Sequence, residues 1–409
     1  MFPRVAPRWR IFALCWVTYA AFYLGRVNLA VAMPAIQTHF GWSKGTVGLI
    51  GSTLYWSYAI GQLVNGALGD RASARAFVGL GMLLSALLNL LFGSLGALGA
   101  MALVWGLNGW VQSMGWGPLV KTLSRWFSAE KRGLLSALFA PCYVAGHAVS
   151  WLLAGRLVSA WGWRAAFWVP GALLLGGAIF WALNARDDPT LPRGKLTLWG
   201  QGPSPLRLGS VFRALGTPGL RWGLIVGFFS GMVKDALSLW APTYLLEVQG
   251  LPLGVAAGWA AAIPFAGGAG AFLSGLVLHR SSHQREAPIV VGAASLVAAG
   301  AMGLLLLNGR TSPLGALAAL TLSALGSHGM NALLMTSLPL RLGGEGNVSS
   351  AAGALDFISY VGGGLSGALT GYLLDGFGWP AVFGLWLIAT FAILLSSSRR
   401  IFHILDKTT

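Results

Sequence analysis

The chain has 409 residues, of which 56% are hydrophobic and only 9% are charged, and its mean hydropathy is +0.69. Soluble proteins carry about 25% charged residues, so the composition excludes a soluble globular class and predicts an integral membrane protein. The net charge of +16 lies in short loops rather than along one stripe, which argues against a nucleic-acid partner. The two cysteines, Cys15 and Cys142, provide neither a disulfide framework nor a metal site.

Twelve apolar segments reach the length of about 20 residues that a helix needs to cross a bilayer. We predict membrane spans 1 to 12 at residues 11–36, 46–69, 76–95, 98–123, 133–159, 164–184, 221–246, 254–279, 287–307, 313–340, 348–376 and 379–397. A Pro- and Arg-rich connection at 185–220 separates six spans from six. We therefore expect an N-terminal bundle at 1–184, a cytoplasmic linker at 185–220 and a C-terminal bundle at 221–409.

Loop charges predict the orientation of the chain. With twelve spans both termini share one side, and most loop Lys and Arg residues fall on that side. The opposite loops contain only Lys44, Arg156, Arg164 and Arg310. By the positive-inside rule, both termini and the linker are predicted to be cytoplasmic, in a plasma membrane of the bacterial inner-membrane type.

The two halves of the chain repeat a short loop motif. Gly66-x3-Asp70-Arg71-x3-Arg75 follows span 2, and a related Gly-x3-His-Arg sequence follows span 8. Parallel repeats of this kind predict an all-α membrane protein with two pseudo-symmetric six-helix bundles, the major facilitator fold, with a substrate site between the bundles. Because loop charges can bind helix ends, we expect Asp70, Arg71 and Arg75 to act in gating.

Two cations lie near the middle of predicted spans. Arg26 in span 1 and Lys234 in span 7 each precede a proline by eight residues, Pro34 and Pro242. A charge deep in hydrocarbon costs several kcal/mol, so it is a functional candidate. Arg offers a planar fork for phosphate or carboxylate, and Lys offers a compact charge. We predict that both bind one anion, although each could instead pair with a carboxylate and only hold helices together.

Two acids, Asp235 and Asp356, also lie deep in predicted spans. Asp235 follows Lys234 directly and points about 100° away from it on a helix, so we expect Asp356 to be the closer partner. Asp356 could neutralise Lys234 in the empty state, carry a proton, or make a helix-packing hydrogen bond. The sequence leaves these three alternatives open.

Polar aromatic residues accompany the cations. Tyr19, Tyr23 and Arg26 share one face of span 1, and Tyr58 and Gln62 are four residues apart on span 2. A tyrosine hydroxyl suits a polar cavity, so we predict that these side chains line the site.

Several segments, taken together, resemble the organophosphate:phosphate antiporter family, which contains glycerol-3-phosphate and hexose-phosphate transporters. They are Tyr19-Ala-Ala-Phe-Tyr-Leu-Gly-Arg26, Ala32-Met-Pro34, Gln112-Ser-Met-Gly-Trp-Gly-Pro118, Arg125-Trp126, Trp240-Ala-Pro-Thr-Tyr-Leu245 and Tyr360-Val-Gly-Gly363. The resemblance implies exchange of a phosphorylated organic anion for inorganic phosphate by alternating access.

The resemblance also implies a set of site residues. Arginines at positions 26 and 234 hold phosphate in the family, a lysine falls on Gln62 and a histidine falls on Tyr143. Here position 234 is Lys, and no family counterpart matches Asp356. The predicted substrate-binding residues are Arg26, Lys234, Tyr19, Tyr23, Tyr58, Gln62, Tyr143, His328 and Tyr360, with Asp235 and Asp356 predicted for coupling or charge pairing.

Two other functions stay open. The segment Tyr58-Ala59-Ile60-Gly61-Gln62 also resembles anion:cation symporters, which move carboxylates such as hexuronates with a cation, and a hexose-phosphate receptor resembles these carriers without transporting. No nucleophile triad, phosphate-binding loop or metal cluster is present in the sequence, so we expect no enzyme activity, cofactor or metal. We expect a monomer in a lipid bilayer whose partners are a small anion and inorganic phosphate.

Overall fold

The structure is a computed structural model that describes residues 7–128, 131, 135, 138–187, 218–280, 287–307, 312–342 and 344–405. We call residues 7–187 the N-half and 218–405 the C-half. The helices of the N-half form spans 1 to 6: Pro7–Phe22 with Asn28–Phe40, Lys44–Arg71, Ala74–Ser94, Leu98–Gln112 with Trp116–Trp126, Pro141–Trp161, and Ala165–Asn184. Those of the C-half form spans 7 to 12: Pro218–Glu247, Leu253–Ala260 with Ala262–Arg280, Ala287–Leu307, Pro313–Leu342, Gly344–Gly376, and Trp379–Leu405.

Both halves contain helices that are long and apolar enough to cross a membrane. In the described part of the chain, nine helical segments are long and apolar enough to cross a bilayer, and they correspond to spans 1, 3, 6 and 7 to 12. Span 2 is more polar, and it carries Ser52, Tyr58 and Gln62 toward the other half or the bundle interior. The all-α fold with twelve spans is therefore confirmed.

Helix packing repeats with an offset of six spans. Span 3 packs on span 6 as span 9 packs on span 12, and span 2 packs on span 4 as span 8 packs on span 10. Between the halves, span 2 packs on span 11 and span 5 on span 8, while span 1 meets span 7. The same offset of six spans converts the pair of spans 2 and 11 into the pair of spans 8 and 5, and it converts spans 1 and 7 into each other. This is the pseudo-symmetry that the loop repeat predicted.

Four spans that were predicted to be continuous are broken in the part of the chain that the structure describes. Span 1 is interrupted by a 3-10 turn at Tyr23–Gly25, span 4 at residues 113–115, span 5 at Ala140 and span 8 at Ala261. Proline explains the last three breaks, because Pro118, Pro141 and Pro264 lie in the first turn of the following helix and supply no backbone N–H. The break in span 1 has a different cause, which positions the candidate site.

The halves are tied together at the end of the bundle that contains Lys44. The Asp375 carboxylate at the end of span 11 accepts the backbone N–H groups of Lys44 and Gly45, both at 2.8 Å, at the start of span 2. The Lys44 ammonium also pairs with Glu247 of span 7 at 2.7 Å. A carboxylate at a helix N-terminus satisfies orphan donors and complements the helix dipole. We call Lys44, Gly45, Glu247 and Asp375 the Lys44 lock.

Candidate functional site

Buried side-chain amides stabilise the non-helical turn that interrupts span 1. The Gly25 carbonyl accepts the side-chain amides of Asn108 at 2.8 Å and Asn89 at 3.1 Å. A Cβ on Gly25 would lie 2.5 Å from Leu174 Cδ1 and 2.6 Å from Asn89 Nδ2, so any larger residue would have to displace these two side chains. Backbone groups that leave a helix inside hydrocarbon cost several kcal/mol unless protein groups satisfy them. The two asparagines therefore stabilise the non-helical turn.

Two further donors fix the carbonyls on either side of this turn. Gln112 of span 4 donates to the Phe22 carbonyl at 3.0 Å, and the Trp151 indole of span 5 donates to the Val27 carbonyl at 3.1 Å. Side chains of three neighbouring spans thus fix the backbone conformation on both sides of Arg26. The position of the guanidinium is set by the fold of the N-half rather than by a flexible helix.

Among the residues that the structure describes, Arg26 forms no ion pair with a carboxylate. Its guanidinium carbon lies 4.0 Å from the ring centroid of Tyr58 and 5.1 Å from that of Tyr23. Nε and Nη2 are buried and have no hydrogen-bond partner among the residues that the structure describes. Cation–π contacts contribute about 0.5–2 kcal/mol each, less than the cost of a buried charge. Arg26 therefore keeps donors available for an anion.

Lys234 differs from Arg26 because it has an acidic partner. Its ammonium lies 2.5 Å from Oδ1 of Asp235, and both residues are buried. This corrects the expectation that Asp356 would be the closer partner of Lys234. The 100° offset between adjacent residues constrains only Cβ, and the flexible four-carbon stem of lysine can fold back toward its neighbour. A Cβ on Gly363 would lie 2.3 Å from Asp235 Oδ2, so span 11 leaves room for the carboxylate.

Aromatic rings connect the two cations across the boundary between the halves. The ring centroids of Tyr58 and Tyr360 are 4.6 Å apart, and the Lys234 ammonium lies 5.1 Å from the Tyr360 centroid. Tyr55 adds a direct bond between the halves, because its hydroxyl donates to the Asp235 carbonyl at 3.3 Å. Arg26 and Lys234 therefore both face the boundary, from opposite sides.

Asp356 lies at the same boundary but is not paired with a cation. In the described part of the chain it has no ion pair within 4.0 Å, although it interacts electrostatically with Lys234, Asp235 and Arg26. Gln62 of span 2 contacts the Asp356 carboxyl and also donates to the Tyr58 hydroxyl at 2.9 Å. The side chain of Asp356 is half-buried. Its surroundings leave a proton-carrying role and a packing role open.

The other predicted binding residues surround this centre at different depths. Tyr19 is buried, with its ring centroid 4.8 Å from that of Trp116, and its side chain contacts Tyr58. The ring of Tyr143 lies 6.4 Å from that of Tyr23. On span 10, His328 Nδ1 is 3.0 Å from the Ala324 carbonyl of its own helix.

One residue of the centre was missed by the sequence reasoning. His147 lies one helical turn after Tyr143 on span 5, with its ring 5.9 Å from that of Tyr23. It is buried, its Nε2 has no hydrogen-bond partner in the described part of the structure, and it interacts with His328 of the C-half. The four-residue spacing from Tyr143 placed it on the same helix face. That spacing was the available signal, whereas the family resemblance indicated Tyr143.

The predicted gating residues lie away from this centre. Arg75 donates its backbone N–H to Asp187 at 2.7 Å and its Nε to the Ala182 carbonyl at 2.8 Å, so its contacts stay within the N-half. Asp70 and Arg71 end the helix of span 2, and their side chains lie outside the described residues. A gating role for the three residues stays a prediction.

The chain is similar to a family profile and to several known membrane proteins. The sequence profile of the Major Facilitator Superfamily matches residues 15–367. The chain is 35% identical over 182 residues to a probable hexose phosphate transport protein of Chlamydia pneumoniae, which covers 44% of this chain and 40% of the relative. It is 32% identical over 185 residues to the membrane sensor protein UhpC of Escherichia coli, which covers 44% and 42%. These two matches thus span less than half of either relative.

Two other similarities run over nearly the whole chain. A glycerol-3-phosphate transporter of Bacillus subtilis is 27% identical over 398 residues, 92% of this chain and 88% of the relative. The crystal structure of a bacterial homologue of the human lysosomal transporter Spinster, inward-facing and unoccupied, superposes with a TM-score of 0.75 at 16% identity, over 98% of this chain and 96% of that one. The fold, the repeat and the profile match agree: the chain is a multi-pass membrane protein that belongs to the Major Facilitator Superfamily.

Proposed function

We propose that this chain is a secondary carrier that exchanges a small phosphorylated organic anion, of the hexose phosphate or glycerol phosphate type, for inorganic phosphate by alternating access. One observation carries the proposal. The Arg26 guanidinium has buried N–H groups that find no partner among the described residues, and it faces Lys234 of the other half across the rings of Tyr58 and Tyr360. An anion bound between the two cations would attract both halves to a common centre.

The chemistry of the donors favours phosphate. A guanidinium can give two parallel hydrogen bonds to phosphate or carboxylate, whereas Lys supplies a point charge. The Tyr58 and Tyr360 hydroxyls and the imidazole of His147 add neutral groups that suit the hydroxyls of an organic moiety. The names of the relatives, two phosphate-ester transporters and a sensor, support the same substrate class.

The carrier mechanism uses the two bundles, 1–184 and 221–409, as rocking units joined by the linker at 185–220. The Lys44 lock closes one end of the boundary, and the positive-inside rule assigns that end to the outside. The site would then load from the cytoplasmic side in this state. We assign the protein to a bacterial plasma membrane, as a monomer with both termini in the cytoplasm.

Ligand-induced stabilisation tests the substrate class. A ligand that binds only the folded state raises the thermal midpoint according to its affinity. We expect purified protein to be stabilised by glycerol 3-phosphate, glucose 6-phosphate and inorganic phosphate, and not by hexuronates. Stabilisation by hexuronates alone would favour the carboxylate symporter, which the two acids near Lys234 make the second candidate.

Counterflow separates a carrier from a sensor. Proteoliposomes loaded with unlabelled phosphate should take up labelled glycerol 3-phosphate, and protein-free liposomes loaded in the same way should not. A protein that is stabilised by the ester yet gives no counterflow would be a receptor, as the similarity to a membrane sensor suggests. Liposomes with the Arg26→Ala variant provide the background.

A further inference from the structure

The central site contains as many acids as cations. Arg26 and Lys234 bring two positive charges, and Asp235 and Asp356 bring two negative ones when both are ionised. Asp235 neutralises Lys234 directly at 2.5 Å, and Asp356 interacts electrostatically with Arg26. The empty site can thus be neutral overall. A site that is already balanced has no net charge with which to hold a dianion.

Binding of a phosphate ester changes this balance. A dianion between Arg26 and Lys234 would add two negative charges beside two ionised carboxylates. Like charges at close range disfavour the ionised form of a carboxyl group, and an uncompensated buried charge is costly. Uptake of a proton by one carboxyl removes part of this excess charge. The proton must come from water, because a proton passed from Lys234 to a carboxylate would leave the total charge of the site unchanged.

The two acids differ in their access to water. Asp235 is 5% exposed, and Oδ1 is held by Lys234. Asp356 is half-buried, has no ion pair in the described part of the chain, and touches Gln62 of the opposite half. Of the two acids, Asp356 is therefore the more exposed to water, and no cation of the described residues lies within 4.0 Å of its carboxylate.

We propose that Asp356 carries a proton together with the anion, so that the carrier can accumulate a phosphate ester at the expense of a proton gradient. The inference rests on the proposed function and adds the coupling ion. A proton from water on the loading side joins the Asp356 carboxylate as the dianion binds. After the halves rock, the anion leaves and the carboxyl returns the proton to water on the other side. During exchange with phosphate, protons move both ways and the net transfer is zero.

The groups around Asp356 fit this cycle. Span 2 contributes Tyr58 and the Gln62 amide, span 7 contributes Lys234 and Asp235, span 1 contributes Arg26, and Asp356 shares span 11 with Tyr360. On span 10, His328 faces Lys234. The fixed charges next to Asp356 are thus the three that also face the anion, so anion binding and protonation are coupled through space.

Proteoliposomes without internal phosphate test the coupling, with labelled glycerol 3-phosphate as the probe, because net uptake of the ester then moves protons in one direction only. Both sides are kept alkaline enough that the ester stays a dianion, since the second pKa of a phosphate monoester is about 6. The membrane potential is clamped with potassium and valinomycin. We expect an acid-outside gradient to drive accumulation by wild-type protein, with a limit of about tenfold per pH unit for one proton per anion. For each variant, the gradient-driven accumulation is divided by the rate of exchange with phosphate. This ratio should fall in Asp356→Asn and should be retained in Asp356→Glu.

The outcomes are distinguishable. Wild-type protein that exchanges the ester but ignores the gradient overturns the coupling and leaves the proposed function intact. Absence of exchange overturns both. An equal gradient response in wild type and Asp356→Asn assigns the proton elsewhere. Calorimetry of ester binding in buffers of different ionisation enthalpy gives a second readout: wild type should take up a proton that Asp356→Asn does not, and equal uptake would contradict the assignment.

Discussion

Tyr58 and Tyr360 meet across the boundary between the halves, with ring centroids 4.6 Å apart, and each ring faces a cation, Arg26 or Lys234. The pair forms one link between Arg26 and Lys234, so an anion that contacts both cations would lie near these rings. Each tyrosine therefore stabilises one of the two positive charges in the empty site through a cation–π contact.

Substitution of Arg26 by alanine should abolish transport. Loss of a buried charged contact to an anion costs about 2–5 kcal/mol, so affinity for the phosphate ester should fall by a factor of about 30 or more. Arg26→Lys keeps the charge but loses the planar fork, and we expect intermediate activity. Counterflow in proteoliposomes and the ester-induced shift of the thermal midpoint measure both effects.

Arg164 provides a matched control for that change. Its guanidinium also lies over an aromatic ring, 4.3 Å from the centroid of Trp163, but far along the chain from the site and near the opposite loops. Arg164→Ala should leave counterflow close to wild type. Normal counterflow by a well-expressed Arg26→Ala variant would contradict the proposed function.

The pair Lys234–Asp235 should behave as a buried ion pair. Removal of one partner leaves an uncompensated charge and costs about 3–5 kcal/mol, whereas removal of both costs much less. We expect Lys234→Met and Asp235→Leu each to lower the thermal midpoint in detergent, and the double variant to recover most of the loss. A double variant that shows the sum of the two single effects would indicate that the side chains do not interact in the folded protein.

The sequence predicted the spans well but not the breaks within them. Hydropathy identified span 1 as one segment from 11 to 36, and the helix does begin at Pro7 and resume to Phe40. The interruption at Tyr23–Gly25 depends on amide donors from spans 3 and 4, Asn89 and Asn108. Such contacts join residues more than sixty positions apart, so no local pattern contains them.

The centre of the site was predicted for a simple reason, and its details were not. A charge within an apolar span is conspicuous, which identified Arg26 and Lys234. The partner of Lys234 depends on the rotamer of a flexible side chain and on the space that Gly363 leaves for Asp235. Helix periodicity fixes Cβ directions only, so it could not decide between Asp235 and Asp356.

The Lys44 lock should control access from its end of the bundle. Asp375→Ala removes the acceptor of two backbone N–H groups, and the closed state should become less populated. Ser52 is fully buried near Gly367 at the boundary of spans 2 and 11. A Ser52→Cys variant should therefore react slowly with a membrane-impermeant maleimide, and faster when Asp375→Ala is added. The native Cys15 and Cys142 are buried and give a low background.

Asp187 supplies the matched control for the lock. Its carboxylate also accepts a backbone N–H at a helix start, that of Arg75 at 2.7 Å, but within the N-half. Asp187→Ala should leave the labelling rate of Ser52→Cys unchanged. Equal acceleration by Asp187→Ala would indicate general loosening of the fold, and no acceleration by Asp375→Ala would mean that the lock does not hold the closed state.

Gly25 should be intolerant of any side chain. A Cβ there would lie 2.5 Å from Leu174 Cδ1 and 2.6 Å from Asn89 Nδ2, and it would displace the amide that satisfies the Gly25 carbonyl. Overpacking of this kind costs about 1–3 kcal/mol, so Gly25→Ala should lower both the thermal midpoint and counterflow. At Gly117, a Cβ meets nothing within 4 Å, and Gly117→Ala should be neutral or slightly stabilising because alanine favours helix. Equal thermal midpoints for Gly25→Ala and Gly117→Ala would mean that Gly25 is not tightly packed. The turn at Tyr23–Gly25 would then not be what positions Arg26.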